Sequence, residues 1–415
     1  MATGTGCAYI LDIWADDPQQ PSNMVDGLLR TPPTENSIIL LLAGVSSKQP
    51  DTVKTALAAQ HLERVMTFEN EDKMAVFYKA KLYLDKHNIS VLFMLCSNKC
   101  SRYWHLILSS MLTNVYEWTI KAVDQAEAEI PPEEQVTNDV TSFFGSLSTF
   151  GDIITLKSPI IPSDLFFHGF SCRTGGLSHL PGMKSLNLVF SHAKRDSKIL
   201  VSENRRKLAN HVGFNPEKFF VARAVHGNYV HVVGKTEAEG FDGIVTDQPG
   251  ITIGAPGADC VTLVFADPVK RACAALHSGW KGTVKRACVE VLRTMTKEFG
   301  SNPRDVIVAM GPSIGQCCFE FDVDQSGQFT DIVAEAVEVR DGGNKAYVNL
   351  QLCNRVLLEQ NGVKPNNIDD ATCTKCTSCN SDLFFSYRRD GRPFGNQLGF
   401  IGIAIKDAPP PTEHK

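Results

Sequence analysis

The sequence predicts a mixed α/β (α+β) fold: a mixed-sheet sandwich covered by helices, with a smaller N-terminal α/β domain. The chain has 415 residues, of which 43% are hydrophobic, so it can bury a large core and divide into two domains. Short apolar runs of strand length alternate with longer stretches of helical periodicity. A proline-containing acidic segment separates two regions of different pattern.

The first region, residues 1–130, is predicted to be an α/β domain of unassigned role. Residues 37–45 and 88–96 are apolar runs typical of buried strands. Residues 51–66 and 103–123 have the spacing of amphipathic helices. We find no catalytic constellation in this region.

Residues 131–152 are the predicted linker, because two prolines and an acidic cluster precede a tail rich in glycine, serine and threonine. Residues 153–415 are predicted to form the catalytic domain. There, Ser202 is a plausible N-cap of an amphipathic helix over 202–214. We expect the pocket of this domain to be built from loops that follow strands.

Charge and cysteine content narrow the possible partners. The net charge is -5, with 41 basic and 46 acidic residues, which argues against a nucleic-acid or anionic-membrane surface. No apolar run reaches the roughly 18 residues that a bilayer span requires, and we expect no secretory signal. The 13 cysteines are an odd number, which favours reduced thiols and a cytoplasmic location.

A predicted strand–turn–helix carries His277. Residues 270–277 are a strand-type apolar run, 278–282 a glycine-bearing turn, and the helix behind them ends at Gly300. This order places His277 at the carboxyl end of the strand. The backbone amides after it, at Ser278 and Gly279, together with Lys281, form a turn suited to an anion such as phosphate.

Two further segments bring candidate metal ligands to strand ends. Cys260 follows a Pro-Gly turn and Asp259, directly before the buried run 261–268. Upstream, His226 stands before a glycine that breaks a valine-rich run, whereas His231 lies inside the run. We therefore prefer His226 to His231 as a third ligand.

Two imidazoles and one thiolate form a ligand set that zinc accepts at catalytic sites, where a fourth position stays open for water. Zinc lowers the pKa of such a water, and Asp259 is the nearest candidate in the sequence to orient a ligand or to move the proton. The alternative is that these are ordinary buried residues. On spacing alone, without a regular motif, that alternative is favoured.

A resemblance to a known family favours the metal site over ordinary buried residues. Residues 160–405 resemble the YfiH/YlmD family, also called the laccase-domain or polyphenol oxidase-like family. The shared motifs occur in the same order and are HGFSCRTGGLS (168–178), SLNL (185–188), ENRRKLA (203–209), GADC (257–260), HSGWKGT (277–283), GPSIGQCCFE (311–320) and FFSYRRDG (384–391).

The resemblance implies one zinc ion per chain, held by His226, Cys260 and His277. It also implies phosphorolysis of adenosine, inosine, guanosine and S-methyl-5'-thioadenosine, with inorganic phosphate as co-substrate, and deamination of adenosine. The extra N-terminal domain resembles that of animal members of the family. A role in purine metabolism and innate immunity, and association with nucleus, endoplasmic reticulum or peroxisome, follow from this likeness alone.

Other motif residues admit two interpretations each. Arg173 precedes two glycines and could clamp a phosphate or ribose, or could be a surface arginine in a tight turn. Asn187 could bind a polar edge of the nucleoside or cap a turn. For phosphorolysis, we expect Arg173, Lys281 and the amides after His277 to hold the phosphate.

The run with Cys373, Cys376 and Cys379 is typical of a zinc knuckle or an iron–sulfur site. Because three thiols lie there without a fourth, a buried or structural role is favoured, and a second metal site is the minority interpretation. Arg388 and Arg389, which follow this run, could reach a substrate phosphate, although a solvated charge pair is the more common arrangement.

Three other functions stay open at this point. Copper oxidase activity on phenols is disfavoured, because the chain has 11 histidines but no His-x-His pair. Hydrolysis of another C–N substrate, such as citrulline, could use the same ligands. Finally, the chain could be an interaction scaffold in metabolic or immune regulation that binds a protein through its N-terminal domain.

Overall fold

A computed structural model describes residues 6–14, 20–30, 33–34, 36–45, 47–60, 62–235, 238–340 and 344–405. The described residues fall into two compact units. One comes from residues 1–148 and 190–203, and the other from residues 149–189 and 204–415. No helix in the described part of the chain is long and apolar enough to cross a membrane.

The first unit contains a five-stranded sheet of order β3-β2-β1-β4-β5 in which all pairs are parallel. Its strands are β1 (Cys7–Asp12), β2 (Ile38–Gly44), β3 (Val65–Asn70), β4 (Val91–Cys96) and β5 (Glu117–Ala122). Its helices are α1 (Gln20–Leu29), α2 (Gln49–Ala58), α3 (Lys73–Lys86), α4 (Ser101–Met111) and α5 (Glu133–Ser146). The predicted strands over 37–45 and 88–96 are confirmed as β2 and β4.

The two long helices predicted for this unit are too long. Helix α2 ends at Ala58, and β3 begins within the segment predicted to be helical. Similarly, α4 ends at Met111, and a turn then leads into the edge strand β5. The side chains of β5 alternate between exposed and half-buried, so a period of two was mistaken for a helical stripe.

The segment predicted as a linker contains α5. Its buried residues Val136, Val140 and Phe144 recur every four residues, and they form an apolar stripe that packs the helix against α4. The prolines that suggested a linker stand directly before the helix, where proline is tolerated. Residues 131–148 therefore belong to the first unit.

Residues 190–203 also belong to the first unit, although the sequence predicted them to be part of the second domain. Arg195 donates from Nη1 to the carbonyl oxygen of Ile89 at 3.0 Å, and Thr113 Oγ1 donates to the carbonyl oxygen of Lys194 at 2.6 Å. These contacts join parts of the chain that are far apart in sequence, so local composition and periodicity could not reveal them.

The second unit is built on two larger sheets and a small one. A six-stranded sheet has the order β18-β14-β12-β13-β10-β9, a five-stranded sheet has the order β6-β7-β19-β11-β8, and a three-stranded sheet has the order β15-β17-β16. The strands are β6 (Thr155–Leu156), β7 (Phe166–Ser171), β8 (Phe219–Val221), β9 (Val230–Val232), β10 (Gly243–Thr246), β11 (Thr252–Gly257), β12 (Val261–Asp267), β13 (Ala272–Ser278), β14 (Ile307–Met310), β15 (Glu320–Asp322), β16 (Val337–Val339), β17 (Lys345–Val348), β18 (Ile368–Asp369) and β19 (Gln397–Ile403).

The helices of the rest of the chain are α6 (Lys198–Val212), α7 (Trp280–Val284), α8 (Ala287–Phe299), α9 (Gly327–Thr330), α10 (Leu350–Gln360) and α11 (Tyr387–Asp390). Helix α6 begins before Ser202, so Ser202 is not its N-cap. The hydroxyl of Ser197 accepts a hydrogen bond from the Leu200 amide instead. Helix α8 ends at Gly300, which takes the left-handed conformation with φ 69°, as predicted.

The two larger sheets pack face to face, and the mixed-sheet sandwich predicted from the sequence is confirmed. Their shared core contains buried side chains of both sheets, including Phe170 and Ile253 from one and Val264 and Ala275 from the other. Helices α8 and α10 cover the outer face of the six-stranded sheet. This layering places the long strands β12 and β13 at the centre of the unit.

Candidate metal centre

The position of His277 follows from its place in the six-stranded sheet. Strand β13 lies between β10 and β12 and is antiparallel to both. The residues that precede β10 and β12 therefore meet the end of β13, where His277 stands. Asp242 precedes β10, and Cys260 precedes β12.

Asp242 fixes the orientation of His277. Its Oδ1 atom lies 2.8 Å from Nδ1 of His277, and its carbonyl oxygen accepts a hydrogen bond from the His277 amide at 2.8 Å. This leaves Nε2 of His277 for a metal, which is the arrangement that carboxylate–histidine pairs give to metal-binding imidazoles. Asp242 was not among the residues predicted from the sequence. The sequence feature that could have identified it is an acidic residue directly before a short apolar strand. Asp242 directly precedes β10, as Cys260 directly precedes β12.

The same carboxylate also shapes the loop that carries His226. Asp242 accepts hydrogen bonds from the amides of His226 at 2.9 Å and Gly227 at 2.7 Å. The loop leads into β9, which pairs with β10 in parallel, so it lies at the same edge of the sheet. His226 itself has φ 59°, a left-handed conformation that is uncommon outside glycine and is maintained here by the hydrogen bonds to Asp242.

The ligand atoms of His226, Cys260 and His277 all lie within 4.8 Å of one another. The rings of the two histidines are 4.9 Å apart and nearly perpendicular. His231 is buried in β9 and does not belong to this group. The structure thus brings together the three side chains that the sequence singled out.

Space for the sulfur depends on Gly279. A Cβ atom at this position would lie 2.8 Å from the Cys260 Sγ, which is closer than a van der Waals contact allows. Glycine here therefore lets the turn after β13 pass directly beside the thiol.

The pKa values of Cys260 and His277 are shifted by their contact with each other. Burial opposes ionisation of the Cys260 thiol, but His277 and His226 outweigh it, so the pKa of Cys260 lies below its ordinary value. Burial likewise opposes protonation of His277, and Cys260 and Asp242 reverse that effect and raise its pKa. The thiolate is the form that binds metals. Two imidazoles and a thiolate fit zinc.

Asp259 has a different setting from the one that we expected. It is buried, and its Oδ1 accepts a hydrogen bond from Thr377 Oγ1 at 2.6 Å, while Oδ2 accepts one from the Arg388 amide at 2.6 Å. Its backbone has φ 100° and turns the chain directly before Cys260. Both carboxylate oxygens thus hold the turn that presents Cys260, so the predicted proton-transfer role lacks support.

Three predicted substrate contacts are engaged within the protein. Arg173 donates through its guanidinium to the carbonyl oxygens of Ser381 and Pro181, each at 3.0 Å. Ser278 is buried, and its hydroxyl donates to Asn354 Oδ1 at 3.0 Å. Asn187 is also buried and accepts a hydrogen bond from the amide of Asn396 at 3.1 Å. These contacts favour the structural interpretation of Arg173 and Asn187, whereas the part of the Ser278 backbone amide in phosphate binding stays a prediction.

Lys281 is placed differently. It is exposed in α7, the short helix for which Gly279 is the N-cap, and its ammonium lies 5.4 Å from the centre of the Trp280 ring. Of the phosphate-binding candidates in this turn, Ser278, Gly279 and Lys281, Lys281 carries an exposed charge. It follows the ligand His277 by four residues.

The cysteines after β18 separate into two environments. Cys373 is buried in the core between the two sheets, as the structural interpretation predicts. Cys376 and Cys379, in contrast, meet Cys317 and Cys318, and the four sulfurs lie within 4.8 Å of one another. The count of three thiols made from the sequence was incomplete, because the missing cysteines come from the loop after β14.

Arg388 and Arg389 are also engaged within the protein. Arg388 donates to the carbonyl oxygens of Cys318 and Glu320, at 3.1 and 3.2 Å. Arg389 donates to the carbonyl oxygen of Thr377 at 2.7 Å and pairs with Asp390. Both side chains therefore brace neighbouring loops.

The chain is similar to one protein family and to several named proteins. Residues 167–404 match the family described as multi-copper polyphenol oxidoreductase laccase. The chain is 39% identical over 345 residues to purine nucleoside phosphorylase LACC1 of Mus musculus, covering 79% of this chain and 80% of that protein. It is 32% identical over 225 residues to adenosine deaminase RL5 of an unknown prokaryotic organism, covering 51% of this chain and 84% of that protein.

A solved structure shares the architecture. The crystal structure of YlmD from Geobacillus stearothermophilus superimposes with a TM-score of 0.54 and 29% sequence identity, covering 60% of this chain and 94% of that one. The α/β fold class predicted from the sequence agrees with this neighbour.

Proposed function

This chain belongs to the family described as multi-copper polyphenol oxidoreductase laccase, and on that premise we propose that it is a zinc-dependent purine nucleoside enzyme. The proposed reactions are phosphorolysis of adenosine, inosine, guanosine and S-methyl-5'-thioadenosine, and deamination of adenosine. Relatives named purine nucleoside phosphorylase and adenosine deaminase support both reactions.

The observation that carries this proposal is the convergence of His226, Cys260 and His277 within 4.8 Å. Each ligand comes from a different segment, and Asp242 holds two of these segments together. One zinc ion would be held by these three residues. When bound, it supplies Lewis-acid activation of water or of a substrate oxygen.

Phosphorolysis requires inorganic phosphate beside C1′ of the ribose. A phosphate oxygen forms a bond to C1′ while the glycosidic C–N bond breaks, and the departing base keeps the electron pair and takes up a proton. We assign the binding of the phosphate charge to Lys281 and to the backbone amides of its turn. We assign Arg173 to positioning, because its guanidinium already holds two carbonyl oxygens.

Deamination replaces the amino group at C6 of adenine with an oxygen from water and releases ammonia. A carboxylate could move the protons, but both oxygens of Asp259 are engaged by Thr377 and Arg388. We therefore assign Asp259 to positioning of Cys260.

Copper oxidase activity has less support than the family description suggests. Blue and trinuclear copper centres depend on several clustered histidines. Within the described residues, the two groups that could hold a metal ion contain His226 and His277 as their histidines. Among the described residues, no contact favours citrulline or another C–N substrate over a nucleoside.

The test uses the full-length protein and four variants: His226→Ala, Cys260→Ser, His277→Ala and, as a matched control, the exposed His211→Ala. Base release from inosine is measured with and without phosphate, and inosine formation from adenosine is measured in parallel. We expect the three ligand variants to lose both activities together with the zinc ion of this centre, and the control to keep them.

Two results would contradict the proposal. One is full turnover by a ligand variant that has lost the zinc ion of this centre. The other is the absence of nucleoside turnover in the zinc-loaded wild-type protein. Purified protein that carries several copper ions per chain and oxidises phenols would favour the oxidase alternative.

A further inference from the structure

A second group of metal-type ligands lies in the second unit, formed by Cys317, Cys318, Cys376 and Cys379. The sulfurs of all four lie within 4.8 Å of one another. Cys379 Sγ is 3.4 Å from Cys318 Sγ and 3.7 Å from Cys317 Sγ, and all four are free thiols.

We propose that these four cysteines bind a structural zinc ion that is distinct from the metal centre at His277. In a tetrahedral zinc site with Zn–S bonds of about 2.3 Å, neighbouring sulfurs are about 3.8 Å apart. The observed separations are close to this value. They are longer than a disulfide bond, which is about 2.05 Å.

The backbone holds the two cysteine pairs in position. Ser313, in the loop after β14, pairs with Cys376 in an isolated parallel bridge, and the Thr377 amide donates to the Ser313 carbonyl oxygen at 3.0 Å. Gly315 leaves room between the pairs, because a Cβ there would lie 3.2 Å from both Cys317 Sγ and Cys376 Cβ. The four sulfurs are therefore brought together by the main chain.

The spacing and the local charge fit the same conclusion. Cys376 and Cys379 are separated by two residues, which is the common spacing of a zinc knuckle. Four thiolates around a divalent ion leave two net negative charges. The Arg388 guanidinium donates to the carbonyl oxygens of Cys318 and Glu320, so a positive charge lies beside the site.

The cluster is connected to the first metal centre through Asp259. Thr377, which follows Cys376, donates to one oxygen of Asp259, and the amide of Arg388 donates to the other. Asp259 directly precedes Cys260. An ion in the cluster would therefore fasten the loops that support the turn presenting Cys260, and we assign it a positioning role without contact to substrate.

The experiment measures zinc per chain in full-length protein purified under reducing conditions. The wild type and the thiol control Cys100→Ser, which removes a cysteine of the first unit, should each contain two zinc ions. Cys376→Ser/Cys379→Ser should contain one, and Cys260→Ser should also contain one. X-ray absorption at the zinc edge of Cys260→Ser should show a shell of sulfur alone, since its remaining ion has four thiolate ligands.

This design separates the two sites. Cys260→Ser is expected to lose nucleoside turnover while it keeps the second ion, so failure of the proposed function does not decide this inference. A Cys260→Ser protein without zinc, or one whose zinc shell contains no sulfur, would overturn it. So would a disulfide within the cluster in the reduced wild type. The absorption measurement decides the question even where the double variant does not fold.

Discussion

The Oδ1 atom of Asp242 lies 2.8 Å from Nδ1 of His277, and the same carboxylate accepts hydrogen bonds from the loop that carries His226. One buried side chain thus orients one ligand and folds the loop of another. Asp242 precedes β10, His277 ends β13, and the antiparallel pairing of these strands brings them together.

We expect Asp242→Asn to weaken zinc binding at the centre by about 10- to 100-fold, the range found for partners of metal-binding histidines. The amide can donate as well as accept, so it no longer enforces the tautomer that leaves Nε2 free. Competition titration with a chelating dye measures the affinity. The control is Asp247→Asn, because Asp247 is exposed and directly follows β10, the strand that Asp242 precedes. Equal zinc affinity in both variants would refute the role of Asp242 in orienting His277.

Gly279→Ala tests the space reserved for the sulfur. The new Cβ would lie 2.8 Å from Cys260 Sγ and must displace the thiol or the turn. A misplacement of about 1 Å can cost about 100-fold in rate, so we expect a loss of that order in kcat/KM and a loss of bound zinc. Gly327→Ala is the matched control, because its Cβ would meet no atom within 4 Å. Similar kinetics for the two variants would contradict the argument.

Lys281→Met tests the phosphate assignment. Loss of one charge-assisted hydrogen bond costs about 2 kcal/mol, so we expect the KM for phosphate in phosphorolysis to rise about tenfold or more. Deamination of adenosine, which consumes no phosphate, should fall less. Lys285→Met, also exposed at the end of the same short helix, serves as the comparison. If both activities decrease equally, Lys281 does not act through phosphate.

His168 provides a prediction about acid stability that is independent of the metal centre. The residue is buried beside the backbone of Ser158, and burial lowers its pKa from 6.5 to about 4. The unfolded chain then binds more protons than the folded chain between these two values. Stability that is fully present above pH 6.5 is therefore lost as the pH falls toward 4.

The full shift corresponds to about 3 kcal/mol, because one pKa unit is about 1.4 kcal/mol. Denaturant titrations from pH 7 to 4 should show a smaller loss of unfolding free energy for His168→Gln than for the wild type. The exposed His192→Gln should follow the wild type. A His168→Gln protein with the pH slope of the wild type would show that this imidazole is not responsible.

Much of the fold was predictable from periodicity, because buried strands leave apolar runs that a single sequence displays. The strands β2, β4 and β13 and the glycine-terminated end of helix α8 fall where these runs predict them, whereas residues 280–284 form the separate short helix α7. The errors occurred where two periods overlap. The edge strand β5 alternates over a segment that also fits a helical stripe, and α5 was obscured by the prolines at its start.

The sequence by itself determined the ligand types, the strand ends that carry them and, through a series of motifs, the family. The tertiary structure decided which of these residues meet. Asp242, Cys317 and Cys318 became part of metal-type sites because antiparallel strands and paired loops bring together positions that lie far apart along the chain. Periodicity records which side of a strand is buried, whereas the neighbours of a residue across a sheet depend on strand order, which is set by the packing of the whole unit.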